Sequence, residues 1–279
     1  MKNKLGIMLG RLSPSIDNSI QAFPVNSWKN EFKKAEEIGF EKIEWIFDTA
    51  LNPMMEDYGI NEIKELKKKF NMEINSVCAD YFMKEKLFSE SSFNLEKNIE
   101  TLKKLIHNCH KLEIPIIEIP LVDASSIKEQ KNEVEFSQNI EQILSIASEY
   151  NSLITLETDL DPSRFSKLIT TLNHPNLKIN YDIGNSVSNG FEPELEINQL
   201  SSWIVNVHVK DRLLYGNTVS LGTGDVNFKQ FFSLLSKIDY SHDIIIQGAR
   251  EDLDDNSTPP EETCSKYFKF VRQYLDKHQ

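Results

Sequence analysis

A chain of 279 residues, 39% hydrophobic and 27% charged, has the make-up of a globular protein with a sizeable core. Its formal net charge of −12 argues against sequence-independent binding to nucleic acid, which needs clustered lysine and arginine. Cys78, Cys109 and Cys264 are odd in number, widely spaced and in no CxxC arrangement, so a reducing compartment without a disulfide framework is expected.

Leu5 to Leu9 is a short apolar run ending at Gly10-Arg11. It is too short for a signal peptide and reads as a first strand. No segment approaches the ~18 apolar residues of a membrane span, and a cytoplasmic protein is the default expectation. After a polar loop through Pro14 and Pro24, a helix starts near Ser27 as N-cap. Trp28, Phe32 and Ala35 share one face, and Gly39 ends it. Lys42 to Phe47 reads as a strand ending at Asp48, Ile60 to Phe70 as a helix, and Ile74 to Asp80 as a strand with a loop at Tyr81-Phe82.

The alternation continues. Phe93 to Lys111 is helical, Ile114 to Pro120 a strand, Ile127 to Tyr150 mostly helical, and Leu153 to Thr158 a strand. Asp161 caps a helix over Pro162 to Leu172, with proline at its first position. Leu177 to Asp182, a helix near Pro193 to Leu200, and Ile204 to Asp211 follow. Asn227 to Ile238, Asp243 to Ala249 and Pro259 to Leu275 complete the series. Eight strands, each followed by a helix and with no linker between them, predict an α/β fold. They favour a single (β/α)₈ TIM barrel domain over residues 1–279. An open doubly wound sheet would usually carry a glycine-rich phosphate turn, and Gly6-Ile7-Met8-Leu9-Gly10 does not fit G-x-G-x-x-G.

In a barrel, strand residues alternate between helix layer and lumen, and the reactive end is the C-terminal one. With Val205, Val207 and Val209 outward, Asn206, His208 and Lys210 turn inward. The same alternation sends Glu44, Ser76, Cys78, Asp80, Glu118, Glu157, Asp182 and Gln247 inward. Burying that many polar groups unpaired costs several kcal/mol each. A divalent cation compensates them directly. Glu157, Asp182, His208 and Gln247 end four successive strands. Two carboxylates, an imidazole and an amide oxygen suit one Mn²⁺, Mg²⁺, Co²⁺ or Zn²⁺ ion without fixing which.

The chain resembles the xylose-isomerase-like barrels of the sugar phosphate isomerase/epimerase type, relatives of the metal-dependent apurinic endonucleases. The resemblance is carried by Leu5 to Leu12, Gly39 to Trp45, Leu156-Glu157, Tyr181 to Asn185, His208-Val209-Lys210-Asp211-Arg212 and Leu221-Gly222-Thr223-Gly224-Asp225. It implies a metal-dependent isomerase or epimerase acting on a sugar, sugar phosphate or related keto-polyol through a metal-stabilised enediolate. Its ligands come from the last four strands as Glu, Asp, His and Glu, the two Glu residues also exchanging protons with carbon. Glu157, Asp182 and His208 match that pattern. Gln247 departs from it: an amide oxygen can still ligate, but it is no base near pH 7. Asn185 stands where sugar epimerases often have His.

On this reading Glu157 is the catalytic base, and Lys210 neutralises the oxyanion or shuttles a proton. Arg11, Glu118, Asn185, Arg212 and Arg250 are the substrate-binding candidates. The amides of Gly222-Thr223-Gly224 could stand open to an anion, a plain tight loop being the commoner use of such a stretch. One good base fits 1,2-isomerisation or a one-base dehydration better than two-base epimerisation. A dehydratase of the same barrel type, acting on a keto-polyol or cyclic keto acid, is therefore the alternative, with a non-catalytic metal- or sugar-binding barrel as the third reading. Such barrels often pair, so a homodimer is also implied. An endonuclease role is disfavoured by the acidic balance and by too few His and Asp ligands for a three-metal cluster.

Overall fold

A computed structural model describes residues 3–251 and 258–276; the remaining residues of the domain expected over 1–279 lie outside them. The ten strands among the described residues are numbered in chain order. β1 (Leu5–Met8), β2 (Lys42–Ile46), β3 (Glu73–Cys78), β4 (Ile116–Leu121), β5 (Leu153–Thr158), β6 (Leu177–Asp182), β7 (Ile204–Val209) and β10 (Ile244–Ile246) close into one parallel barrel. β8 (Asp211–Arg212) and β9 (Thr218–Val219) form a small antiparallel ribbon at its C-terminal end. Each barrel strand feeds an outer helix, beginning with Trp28–Ile38 after β1 and ending with Pro260–Leu275 after β10. This is a (β/α)₈ barrel, and no helix among the described residues is long and apolar enough to cross a membrane.

The helices form where their apolar stripes meet the barrel wall. In Trp28–Ile38 the residues Trp28, Phe32 and Ala35 are buried, and Gly39 ends the helix at φ 104°, a left-handed turn that only glycine adopts without strain. The Trp28 and Phe23 rings both lie 5.4 Å from that of Trp45 on β2, whose indole N–H donates to Asn52 Oδ1 at 2.9 Å. Val205, Val207 and Val209 pack outward against the helices while Asn206 and His208 are sealed in the lumen. The alternation read along β7 is the one observed.

Three local readings need correction. Tyr81–Lys84 is a short helix, not a loop. A further short helix, Ile183–Ser188, follows β6 directly, because the Asp182 carboxylate accepts from the Asn185 amide and caps it. The stretch Ile204 to Asp211 is not one strand: pairing with the barrel stops at Val209, and Asp211 begins the ribbon.

Asp211 explains the pairing of two sequence motifs. Its buried carboxylate accepts from the amides of Gly222 (2.8 Å), Gly224 (2.9 Å) and Val226 (3.2 Å). The amides expected to await an external anion are therefore taken by the chain's own. A Cβ on Gly224 would lie 2.3 Å from Asp211 Oδ1, so the loop must carry glycine there. Asp225 in turn accepts from the Leu214 amide at 2.7 Å, tying the ribbon down. Asp211→Ala leaves three amides without their acceptor and is expected to cost about 3 kcal/mol. A urea unfolding midpoint unchanged from wild type would contradict it.

Candidate metal centre

The lumen is built upward from its strands. β6 and β7 pair with a register irregularity after Ile179, beyond which Asn180 lies opposite Asn206 and Asp182 opposite His208. Ile245 on β10 lies opposite His208, and the Gln247 amide donates to the Val209 carbonyl at 2.9 Å. The ends of β6, β7 and β10 are therefore level. Two residues beyond Thr155, the β5 register brings in Glu157, opposite Pro120.

His208 is fully buried, with four carboxyl groups within 4 Å. Nε2 faces Glu44 Oε2 at 2.7 Å and Glu118 Oε2 at 3.3 Å. Nδ1 faces Glu157 Oε2 at 3.3 Å and Asp182 Oδ2 at 3.9 Å. With an ion bound, Glu44 beside Nε2 would keep the ring proton on that side and free Nδ1 to ligate, the usual outer partner of a metal-binding histidine. Ligand atoms of Glu157, Asp182 and His208 lie within 4.8 Å of one another, as do those of Glu44, Glu118 and His208. The first set holds three of the four ligand candidates read from the sequence, Gln247 being the fourth.

Amides orient these carboxylates. Asn180 Nδ2 donates to Glu157 Oε2 at 2.9 Å and lies 3.1 Å from His208 Nδ1. Asn185 Nδ2 donates to Glu157 Oε1, and Asn206 Nδ2 to Glu44 Oε1 at 2.8 Å. Arg212 Nη1 holds Asn185 Oδ1 at 2.8 Å, with its other nitrogens on the Gly216 carbonyl. Asp182 divides its labour: Oδ1 caps the following helix and Oδ2 meets Lys210 Nζ at 2.8 Å.

Burial raises the Glu157 pKa, but the hydrogen bond with His208 and the charge of Lys210 outweigh it, so this carboxyl stays ionised. Burial lowers Lys210, and the charges of Asp182 and Glu157 more than restore it, so the amine remains a cation. Glu118 is driven far above the carboxylate range by burial, and its neighbours Glu157 and Glu44 add to that despite the charge of His208. Burial would lower His208, yet Glu44 and Glu118 hold it well above its ordinary value.

A cavity of about 790 Å³ opens above this cluster, lined among others by Asp80, Glu118, Glu157, Lys210, Arg212 and Gln247. Asp182 and His208 lie beneath its floor, almost closed to solvent. Gln247 reaches it with a fixed polarity. Arg11 Nη2 donates to Gln21 Oε1 at 3.2 Å and Gln21 Nε2 donates to Asp80, which settles the Gln21 amide. Gln247 Nε2 donates to that same Gln21 oxygen at 3.1 Å, leaving Gln247 Oε1 buried without a hydrogen-bond partner. An orphaned amide oxygen on the wall of the cavity that Glu157 also lines is of a type that suits a divalent cation.

The proposed substrate ligands divide. Arg11, Glu118, Asn185 and Arg212 line the cavity, although Arg11 spends its nitrogens on Gly248 O, Ile20 O and Gln21. Arg250 does not line it: its guanidinium grips the Gly10 and Ser13 carbonyls (2.6 and 2.5 Å) and ties the loop after β1 to the end of β10. Gln21, which fixes the amide of Gln247, was not anticipated, because nothing marks one residue of a long loop as cavity-lining. Glu44 and Asn206 were visible as inward positions but carried no assignment.

Residues 32–274 match the xylose isomerase-like TIM barrel family. The chain belongs to this family. Among its relatives is the putative L-ribulose-5-phosphate 3-epimerase SgbU of Haemophilus influenzae, 26% identical over 249 residues, 81% of this chain and 86% of that one. A 3-dehydroshikimate dehydratase of Bacillus anthracis is 31% identical over 193 residues, 63% of this chain and 64% of that one. The crystal structure of the IOLI protein with a bound zinc atom superposes with a TM-score of 0.78 over 99% of each chain, at 16% identity. These xylose isomerase-like barrels thus include both an epimerase-type and a dehydratase-type relative.

Without an ion, several buried groups hold protons more tightly folded than unfolded. Burial is the first cause for Glu31 and Glu196, pushed up to about 7, and for Asp80, pushed up to about 6; His208 is raised by its carboxylates. A group whose folded pKa is raised adds stability below its unfolded value and loses it as pH rises through the folded one. Chelator-treated protein is therefore expected to lose stability from pH 6 to pH 8, by roughly 1.4 kcal/mol per pH unit for each proton retained. Added Mn²⁺ should remove the share of that slope that His208 contributes and leave that of Glu31 and Glu196, which bond elsewhere. Urea midpoints at pH 6, 7 and 8 measure it, and a flat profile in EDTA would refute the charge assignment.

Proposed function

We propose that this chain is a divalent-metal-dependent isomerase or epimerase that moves a proton at the carbon beside the carbonyl of a ketose or ketose phosphate. The observation that carries the reading is the convergence of Glu157, Asp182 and His208 beneath a solvent-open cavity, with Gln247 Oε1 left free at its wall. Glu157, Asp182, His208 and Gln247 would hold the ion. When bound, such an ion supplies positive charge to two vicinal substrate oxygens and makes the adjacent C–H more acidic.

The remaining work falls to side chains. Glu157 is ionised, so it is ready to accept a proton, and the amides of Asn180 and Asn185 fix its direction. Its basicity is weak, which demands strong polarisation of the substrate carbonyl. Lys210 stays charged and lines the cavity, so it serves to neutralise a developing oxyanion rather than to relay protons. Arg212 and Asn185 present polar groups to substrate hydroxyls from the rim.

The dehydratase relative supports a second reading, in which removal of the same proton is followed by loss of water. Mn²⁺-loaded protein incubated in D₂O with L-ribulose 5-phosphate, D-fructose or 3-dehydroshikimate separates the two: proton exchange and a new sugar in one case, a dehydrated product in the other. His208→Ala is expected to drop bound Mn²⁺ below about a tenth of wild type. Glu157→Gln should reduce exchange at least about 100-fold with the metal partly retained, within the range for removing a general base. Wild-type exchange in Glu157→Gln would reject Glu157 as the base.

A further inference from the structure

Gln247 cannot accept a proton near neutral pH, and the hydrogen bonds that fix its amide lead to a carboxyl that can. Gln21, from the loop after β1, offers its oxygen to Gln247 Nε2 and Arg11 and its nitrogen to Asp80. Gln247 and Asp80 thus touch the two ends of one amide. Asp80 stands two residues beyond β3, at the reactive end of the barrel, and lines the same cavity as Glu157. Its other oxygen accepts from the Cys78 thiol at 3.2 Å.

The other cavity carboxyls are placed differently. Asp17 and Asp123 are exposed on the rim, Asp48 accepts from the Phe23 amide, and Glu118 is sealed against His208. Asp80 is partly open to the cavity, held by donors on both oxygens, and close enough to Glu157 and Asp48 to feel their charge.

We infer that Asp80 is a second proton carrier of this site, serving the face of the substrate carbon that Glu157 does not reach. This rests on the reading of Glu157 as the first carrier. In the forward direction the C–H bond breaks and its proton passes to the Glu157 carboxylate, the electron pair entering an enediolate. The Asp80 O–H bond then breaks and leaves its pair on the carboxylate, while the enediolate C=C pair takes the proton to form the new C–H bond and an oxygen lone pair restores the C=O. Glu157 and Asp80 recover their starting states by exchange with water in the open cavity, so no other reactant is consumed. A pKa raised to about 6, chiefly by burial, suits a group that must both give and take a proton near neutrality. The substitution at position 247 then relocates the second carrier instead of abolishing it, and epimerisation is restored to the reactions this chain can perform.

The test uses Mn²⁺-loaded full-length protein in D₂O with L-ribulose 5-phosphate and D-fructose. In Asp80→Asn, epimer formation should fall at least 100-fold while deuterium exchange at the carbon stays within fivefold of wild type and metal content is unchanged. Epimer formation within threefold of wild type would overturn the inference, as would parallel loss of exchange with the metal retained. A second readout needs no variant: wild-type epimer should carry solvent deuterium from the first turnover, and return of the substrate's own hydrogen would equally defeat it. Wild-type protein that exchanges neither sugar would strike the Glu157 reading itself, and the Asp80 assignment with it.

Discussion

His208 sits out of reach of water with carboxylate oxygens 2.7 Å from one ring nitrogen and 3.3 Å from the other. Neither flank can be solvated, and burying unpaired charge costs far more than any single packing contact contributes. The lumen therefore has two ways to exist. Without an ion, protons on His208 and Glu118 reduce the negative charge, and Lys210 takes up part of the rest. A divalent ion held by Glu157, Asp182 and His208 would supply the positive charge in place of the imidazole proton. The polar interior, unusual for a barrel whose lumen is normally packed with branched apolar side chains, follows from this requirement.

Holding the charges is only half of the constraint; they must also be aimed. Asp182 is fixed because one oxygen caps the helix Ile183–Ser188. Glu157 is fixed because Asn185, on that same helix, donates to it while Arg212 grips the other end of the Asn185 amide. Arg212 is steadied by the ribbon, and the ribbon's loop by the carboxylate of Asp211. Each support begins within a few residues of a barrel strand. The loops can vary around the site while its first contacts stay rigid, as positioned chemistry requires.

Much of this was legible in the sequence because a barrel strand obeys a period of two. Val205, Val207 and Val209 announce the outer face, and the inner face is then whatever lies between them, His208 included. The same logic located Glu157 and Asp182, and the Asp161-Pro162 start marked its helix correctly. What escaped depends on side-chain direction at positions with no period. Arg250 stands at a strand end like Arg212, yet it turns to the backbone carbonyls of Gly10 and Ser13 in the loop after β1. The glycine amides at 222 and 224 read as an anion site because the anion that fills them lies eleven and thirteen residues earlier in the chain. The helix after β6 was hidden because Ile183-Gly184-Asn185-Ser186 has poor intrinsic propensity and forms only under the Asp182 cap.

Gln21 shows how one loop residue can decide the chemistry of a strand it does not belong to. Its oxygen is claimed by Arg11, a permanent donor, and its nitrogen by Asp80, an acceptor when ionised. The Gln21 amide has no freedom to flip, and Gln247 must present nitrogen to it and oxygen elsewhere. An amide so oriented keeps an oxygen donor at position 247 but gives up both a negative charge and a proton acceptor. The missing charge would be tolerable because the two candidate ligand carboxylates, Glu157 and Asp182, by themselves match a dication. The lost acceptor is not, for any reaction that must address both faces of a carbon, and it is the carboxyl at the far end of the same hydrogen-bonded chain that is placed to answer for it.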